Sequence, residues 1–426
     1  MQQYQPFHLK YRPQTLSEIV GQKHVTQTLA NAIKTGKIAA AYLFTGGKGT
    51  GKTSTARILA KSLNCQSSKS PTINPCGTCS LCKSVASSSA IDVTELDAAS
   101  NSGVDNMRDL IAGLQFKPIE GSYKILIIDE CHALSSQSWQ ALLKIVEEPP
   151  AHVVFIFATT EVEKVPSTII SRCQRFDFRK IPLTEVNNHL GNVASKENIN
   201  IGAGGINAIA KVSKGHLRDS LKLLDQLSLI GSGEITINWI WELSGTIPEH
   251  DLLTVTSNIA NGEVSGNLEI LQDWLEVGKQ PSVIHEALIN FLKALLVCKI
   301  DSVTGNKLTQ LEDDTWDELV AIAQLWSTSQ IQSAIALLMS RQNLMRDEAA
   351  SLWLEATIIE LTPVKVENPQ PWKDWKSPQD AIAWGKSNLP HLSQSEVEQH
   401  WNQLVPVNGK KAGAWVDFVQ NFNGKK

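Results

Sequence analysis

One octapeptide restricts this 426-residue chain more than any other feature: Gly46-Gly47-Lys48-Gly49-Thr50-Gly51-Lys52-Thr53, followed by Ser54. It satisfies G-x-x-x-x-G-K-[ST]. In that pattern glycines let backbone N–H groups turn onto a phosphate, the lysine reaches the β- and γ-phosphates, and the hydroxyl meets magnesium. The arrangement works only between a strand and a helix, because the helix N-terminus must face the same anion. The sequence supplies both. Ala41-Tyr42-Leu43-Phe44 reads as a short apolar strand, and Thr53 to Leu63 places Ala56, Ile58, Leu59 and Leu63 on one helical face. A glycine-rich turn that merely precedes a helix is the bland alternative, and this context argues against it.

Two further strands belong to the same unit. Lys124-Ile125-Leu126-Ile127-Ile128 and Val153 to Ala158 are apolar without alternation, as strands buried on both faces should be. Gln137 to Glu147 reads as a helix stopped by Pro149-Pro150. This order predicts a parallel sheet covered by helices over residues 1 to about 180. The second strand runs into Asp129-Glu130. There Asp129 is placed to hold the magnesium with Thr53, and Glu130 to polarise an attacking water. The third strand runs into Thr159-Thr160, hydroxyls that can sense a γ-phosphate or orient water.

From about residue 181 the strand signal fades. Ser220 to Leu227, Val283 to Val297, Leu319 to Leu325 and Ala349 to Leu361 carry helical periodicity. All four tyrosines precede residue 124, whereas eleven of the twelve tryptophans follow residue 238, so the aromatic chemistry changes along the chain. Thr362 to Pro371 is polar and proline-marked, like a linker. With 42% hydrophobic and 19% charged residues the chain can form several cores, and a net charge of −4 excludes a globally polybasic nucleic-acid coat protein. No apolar run approaches the ~18 residues of a membrane span, and the N-terminus has no signal-peptide core. A soluble intracellular protein without membrane contact is expected.

Four of the seven cysteines, Cys65, Cys76, Cys79 and Cys82, crowd into one window with spacing C-x10-C-x2-C-x2-C. Disulfides of a secreted scaffold would be spread more evenly. Four thiolates suit a tetrahedral structural zinc with no open coordination position. An iron–sulfur site is the alternative, because C-x2-C-x2-C opens a ferredoxin run. That run needs a fourth cysteine after three more residues, and Ala86 stands there.

Lys10-Tyr11-Arg12-Pro13, Val20-Gly21-Gln22, the phosphate loop, Asp129-Glu130-Cys131-His132, Ala158-Thr159-Thr160, Ser171-Arg172-Cys173 and Gly215-His216-Leu217-Arg218-Asp219 occur in that order. Together, over roughly residues 5 to 362, they resemble the gamma/tau subunits of bacterial DNA polymerase III clamp loaders, which are AAA+ ATPases. The resemblance implies an α/β P-loop ATPase domain (1–180) with a zinc module inserted at 65–82. A helical lid (181–245) and an all-α collar that assembles a pentamer (246–362) would follow. It implies ATP and magnesium at Gly46 to Ser54, with Lys52, Asp129, Glu130 and Thr159 catalytic and zinc on the four cysteines. Arg172 matches an arginine finger that reaches the neighbouring subunit's ATP. Arg218 matches a lid arginine that contacts nucleotide, and Arg12 lies on the adenine side.

The implied work is loading of a sliding clamp onto primer-template DNA, beside other loader subunits and single-stranded-DNA-binding protein, in bacterial cytoplasm at the nucleoid. No polymerase centre is recognisable, so DNA-directed nucleotidyl transfer would belong to the holoenzyme. Asn101-Ser102-Gly103-Val104-Asp105 would open a helix that tracks DNA phosphates, or be an ordinary cap by Ser102. A helicase-like AAA+ motor would lack the zinc module, and a non-hydrolysing scaffold would lack intact Lys52, Thr53, Asp129 and Glu130. After the linker 363–371, residues 372–426 are expected to form a small accessory helical module, with helices at Ala381 to Trp384 and Trp415 to Val419. That is too short for helicase- and polymerase-binding domains, so deleting 366–426 is expected to spare clamp loading. Lys410-Lys411 after Asn408-Gly409 reads as a solvated turn.

Overall fold

The computed structural model describes residues 4–100, 103–230, 233–309, 311–362, 378–389 and 392–404, with positions 415 and 419. Asn101, Ser102, the linker 363–371, Trp372, Trp375 and the Asn408 to Lys411 turn lie outside them. The described residues form two compact units, Met1–Ile247 and Pro248–Lys426.

The first unit is built on a parallel five-stranded sheet ordered β2-β3-β4-β1-β5. Its strands are β1 (Ala41–Gly46), β2 (Val93–Asp97), β3 (Lys124–Asp129), β4 (Val153–Thr159) and β5 (Gln174–Phe178). Side chains alternate across a strand, and they sort here into two cores. Tyr42, Phe44, Ile125, Ile127, Val154 and Ile156 pack on one face with Ile58 and Leu59. Ala41, Leu43, Leu126, Ile128, Phe155 and Phe157 pack on the other with Trp139 and Leu142. The three central strands are therefore apolar on both faces over Ala41 to Phe44, Ile125 to Ile128 and Val153 to Ala158, as read from the sequence. The sequence reading did not include β2 and β5. They are the sheet edges, and β2 (Val-Thr-Glu-Leu-Asp) and β5 (Gln-Arg-Phe-Asp-Phe) carry polar residues where one side meets water.

Helix α1 (Phe7–Lys10) precedes six that flank this sheet in chain order: α2 (Lys23–Thr35), α3 (Lys52–Asn64), α4 (Ser80–Ala86), α5 (Val104–Leu114), α6 (Ser136–Glu147) and α7 (Ser167–Ile170). Helix α6 begins one residue before the sequence estimate because Ser135 caps it, accepting from Ser138 N–H. Helix α5 has Gly103 as its N-cap, with no side-chain cap. Four more helices complete the unit: α8 (Leu183–Glu197), α9 (Ala203–Val212), α10 (Leu217–Ser228) and α11 (Ile237–Ser244). They bury Val186, Leu190, Ile209, Leu224 and Ile240, and Phe7 of α1 inserts into the same core.

The second unit is helical where it is described. It contains α12 (Glu249–Asn261), α13 (Val264–Glu276), α14 (Pro281–Ile300), α15 (Asn306–Thr309), α16 (Asp313–Leu325), α17 (Thr328–Ser340), α18 (Ala350–Leu361), α19 (Pro378–Asn388) and α20 (Gln394–Gln403). Helix α19 covers Ala381 to Trp384, and Trp415 and Val419 are buried helical residues. Trp415 donates from Nε1 to Ala381 O at 2.8 Å. Helix α20 is absent from the sequence reading because only Val397 and Trp401 mark its apolar side. Its start is set instead by the Ser393–Glu396 capping box.

One buried carboxylate fixes the entry to the sheet. Asp92, 3% exposed, accepts N–H bonds from Ile119 (2.9 Å), Glu120 (2.6 Å) and Gly121 (2.8 Å). Burial alone would raise its pKa. The three N–H donors and Lys124 outweigh burial and hold it below the ordinary carboxylate value. A depressed folded-state value contributes stability above the unfolded pKa of about 3.9 and loses it as pH falls through the folded value. Asp92→Asn is expected to cost about 3 kcal/mol at pH 7 by urea unfolding, with the difference shrinking below about pH 4.

Candidate functional site

The phosphate loop joins β1 to α3, and its shape is dictated at Gly46 and Gly51. Gly46 has φ +139°, and a Cβ there would stand 2.3 Å from Phe178 O of the adjacent edge strand. Gly51, at φ +102°, is the N-cap of α3. No residue with a side chain fits Gly46 without separating β1 from β5.

Lys52, the first residue of α3, is 6% exposed and donates to Gly46 O at 2.7 Å and Gly47 O at 2.9 Å. Burial lowers its pKa, with Glu130 and Asp129 pulling the other way. Thr53 Oγ1 donates to Asp129 Oδ2 at 2.6 Å, so the loop's hydroxyl and the carboxylate at the end of β3 already touch. Asp129 Oδ1 accepts from Glu130 N–H at 3.0 Å. In register, Thr45 of β1 is paired with Thr159 of β4, and Ile128 of β3 with Phe157. The carboxyl ends of three strands therefore finish level, beside the loop.

These groups line a cavity of about 750 Å³ bounded by Lys48 to Ser54, Asp129, Glu130 and Thr160, with Arg12 and Arg218 also on its wall. Arg12 Nε donates to Ser54 Oγ at 3.3 Å. Burial first, and then the charge of Arg57, make its cation less favourable, as suits a site that awaits an anion. Apolar residues, including Ile19, Val20, Ile181 and Leu217, line the same cavity, which therefore offers both charged and apolar groups.

Four residues predicted for ATP binding or hydrolysis do not line this cavity: Gly46 and Gly47, whose carbonyls accept from Lys52, and Thr159 and Arg172. Thr159 is fully buried, and among the described residues Thr160 rather than Thr159 lines the cavity. Arg172 follows α7 and precedes β5, so it stands in a turn rather than at a strand end. It pairs with Glu147 at 2.6 Å and donates to Thr168 O at 2.7 Å, outside the cavity of its own chain. Sequence reasoning missed Arg57 and Glu95, a pair joined by two hydrogen bonds (2.6 and 2.7 Å) on the cavity wall. Arg57 lies four residues after Thr53 on α3, and that spacing was the available signal.

Away from this cavity, Cys65, Cys76, Cys79 and Cys82 bring their sulfurs within 4.8 Å of one another. Backbone N–H groups point at them: Cys76 N–H to Cys65 Sγ at 3.4 Å, Cys79 N–H to Cys76 Sγ at 3.3 Å, and Cys82 N–H to Cys79 Sγ at 3.4 Å. The Ser67 hydroxyl and further donors hold the Cys76 thiol down to about 5. Four converging sulfurs with N–H support fit a tetrahedral thiophilic ion, whose ~2.3 Å metal–sulfur bonds need sulfurs about 4 Å apart.

Residues 21–182 match the family model described as DNA polymerase III, delta subunit, and residues 185–233 match the DNA polymerase III clamp loader subunit, ATPase lid domain. The gamma subunit of Buchnera aphidicola subsp. Acyrthosiphon pisum is 36% identical over 289 residues, covering 68% of this chain and 80% of that one. That of subsp. Baizongia pistaciae is 41% identical over 255 residues, 60% of this chain and 68% of that one. The chain belongs to the gamma/tau family of DNA polymerase III subunits. Bacillus subtilis tau is 39% identical over 317 residues, 74% of this chain. The chain spans 56% of that gamma/tau relative and 40% of Escherichia coli tau, about half their length.

Gly46→Ala is expected to destabilise the first unit by about 2 kcal/mol or more, combining a disallowed φ with overpacking against backbone. Urea unfolding checks the stability. Nucleotide titration of the folded fraction is expected to show weakened triphosphate binding.

Proposed function

We propose that this chain is the ATPase motor subunit of a replicative clamp loader, using ATP binding and hydrolysis to place a sliding clamp on primed DNA. One observation carries the reading. The Thr53 hydroxyl and Asp129 carboxylate meet at 2.6 Å on the wall of a cavity that also holds Lys52, Glu130, Arg12 and Arg218. In this reading Lys52 exchanges the carbonyls of Gly46 and Gly47 for the β- and γ-phosphates, and the N-terminus of α3 faces the same charge. Thr53 and Asp129 are hard oxygen donors suited to magnesium, which when bound neutralises phosphate charge. Glu130 polarises the attacking water. Arg218 binds nucleotide from α10, and Arg12 lies on the side of the base.

Residues 1–180 would be the ATPase domain, 181–245 the lid and 246–362 the collar, with 372–426 an accessory module. The four cysteines would hold structural zinc, and the chain would have no polymerase centre of its own. Partners would be other loader subunits in a hetero-pentamer, the clamp, primer-template DNA and single-stranded-DNA-binding protein, in the cytoplasm. The first turn of α5, after Gly103, would offer its backbone N–H groups to a DNA phosphate. The test is ATPase activity of the chain assembled with loader partners, with and without primed DNA and clamp. Stimulation is expected, and its absence would overturn the reading.

Lys52→Ala is expected to abolish ATP binding in a titration. Glu130→Gln is expected to keep ATP bound and slow hydrolysis at least about a hundredfold in a single-turnover assay.

Arg172→Ala is expected to leave ATP affinity of the isolated chain unchanged and to reduce hydrolysis in the assembled loader by about a thousandfold at the neighbouring subunit's site. Assemblies carrying the change in one subunit locate the defect.

One zinc per chain is expected by elemental analysis. Cys79→Ser is expected to lower the melting temperature, because a fully protein-coordinated ion contributes folding free energy. Stoichiometric iron would reverse the assignment.

A further inference from the structure

Glu130 occupies an unusual backbone position. Its φ and ψ are both 45°, left-handed, which costs a residue with a side chain about 1–2 kcal/mol. Its side-chain direction is therefore set by what it touches. One carboxylate oxygen, Oε2, accepts from Thr160 N–H at 3.2 Å and from the Thr160 hydroxyl at 3.1 Å. The same oxygen lies 3.4 Å from His132 Nδ1.

The His132 ring is itself held at both nitrogens. Nδ1 stands 3.0 Å from Thr159 Oγ1, and Nε2 stands 3.2 Å from Glu161 Oε1. A carboxylate only accepts, so Nε2 meets Glu161 and Nδ1 meets Glu130 only as N–H donors, both at once in the protonated ring. Glu161 is tied in turn to Lys164 at 2.7 Å, and its own N–H donates to Thr159 Oγ1 at 3.0 Å. Thr159, buried away from the cavity, and Glu130, on the cavity wall, are thus joined through one imidazole nitrogen.

We propose that His132 and Thr160 are positioning residues for hydrolysis: they fix Oε2 of Glu130, which leaves Oε1 for the attacking water, and Glu161 fixes His132. The proposal rests on the ATPase reading above. It gives Thr159 an indirect place in the site, since Thr159 braces the ring rather than meeting nucleotide. A network that only stabilised the strand ends would lower folding stability and affect KM and kcat together. A positioning network acts on kcat alone and only through Glu130.

The experiment uses the full chain assembled with loader partners, clamp and primed DNA, comparing His132→Ala, His132→Asn and Thr160→Val. His132→Ala and Thr160→Val are each expected to lower kcat about tenfold or more while the KM for ATP stays within about twofold, since small misplacements of a reacting group are costly. His132→Asn keeps a polar group near Nδ1 and is expected to recover part of the loss. In a Glu130→Gln background, single-turnover hydrolysis is expected to change less than about twofold on adding His132→Ala, because both changes remove one function. A wild-type kcat in His132→Ala, an equal loss in KM and kcat, or a full multiplicative loss in the Gln background would each overturn the proposal. If the wild-type assembly hydrolyses no ATP, the motor reading fails first and this inference falls with it.

Discussion

The contact between Thr53 and Asp129 depends on almost everything else in the first unit. It needs the phosphate loop to turn at Gly46, α3 to start at Lys52, and β3 to end level with β1 across the intervening β4. A one-residue slip of β3 would turn Asp129 to the opposite face of the sheet and put Ile128 in its place. The two apolar cores oppose that slip, because every side chain of the central strands would change layer with it. Burial on both faces thus sets the position of one hydroxyl and one carboxylate to within a hydrogen bond.

The parts legible in the sequence were those where a single physical demand acts on neighbouring residues. Strands buried on both sides must be apolar throughout, so β1, β3 and β4 could be read directly. The octapeptide and the cysteine spacing are local geometries that the chain carries with it. The edge strands were hidden because β2 and β5 answer to core and water at once, which leaves Glu95 and Asp177 among apolar residues. Helix α20 was hidden because its start is fixed by hydrogen bonding at Ser393 rather than by periodicity.

Within the site, residues acting through another residue were the hardest to find. Arg57 and Glu95 meet across 38 positions, and His132 and Glu161 across 29, with no pattern that links either pair in sequence. Thr159 and Thr160 are adjacent and chemically identical, yet Thr159 is the buried last residue of β4 and Thr160, just past the strand, lines the cavity. Only the three-dimensional arrangement tells them apart. Arg172 is a comparable case. Its ion pair with Glu147 and its bond to Thr168 O hold it outside the cavity of its own chain, and no spacing in the sequence says so.

The division at Ile247 also partitions the chain's chromophores. Every tyrosine lies in the first unit, and nine of the twelve tryptophans lie in the second. Indole emission therefore reports mainly on the helical unit, and phenol absorbance on the unit that carries the phosphate loop. Trp139, packed beside Phe157 in the sheet's second core at 5.7 Å between ring centroids, is the indole that lies directly on the sheet. An optical melting curve recorded at a single wavelength would consequently describe one half of this molecule more faithfully than the other.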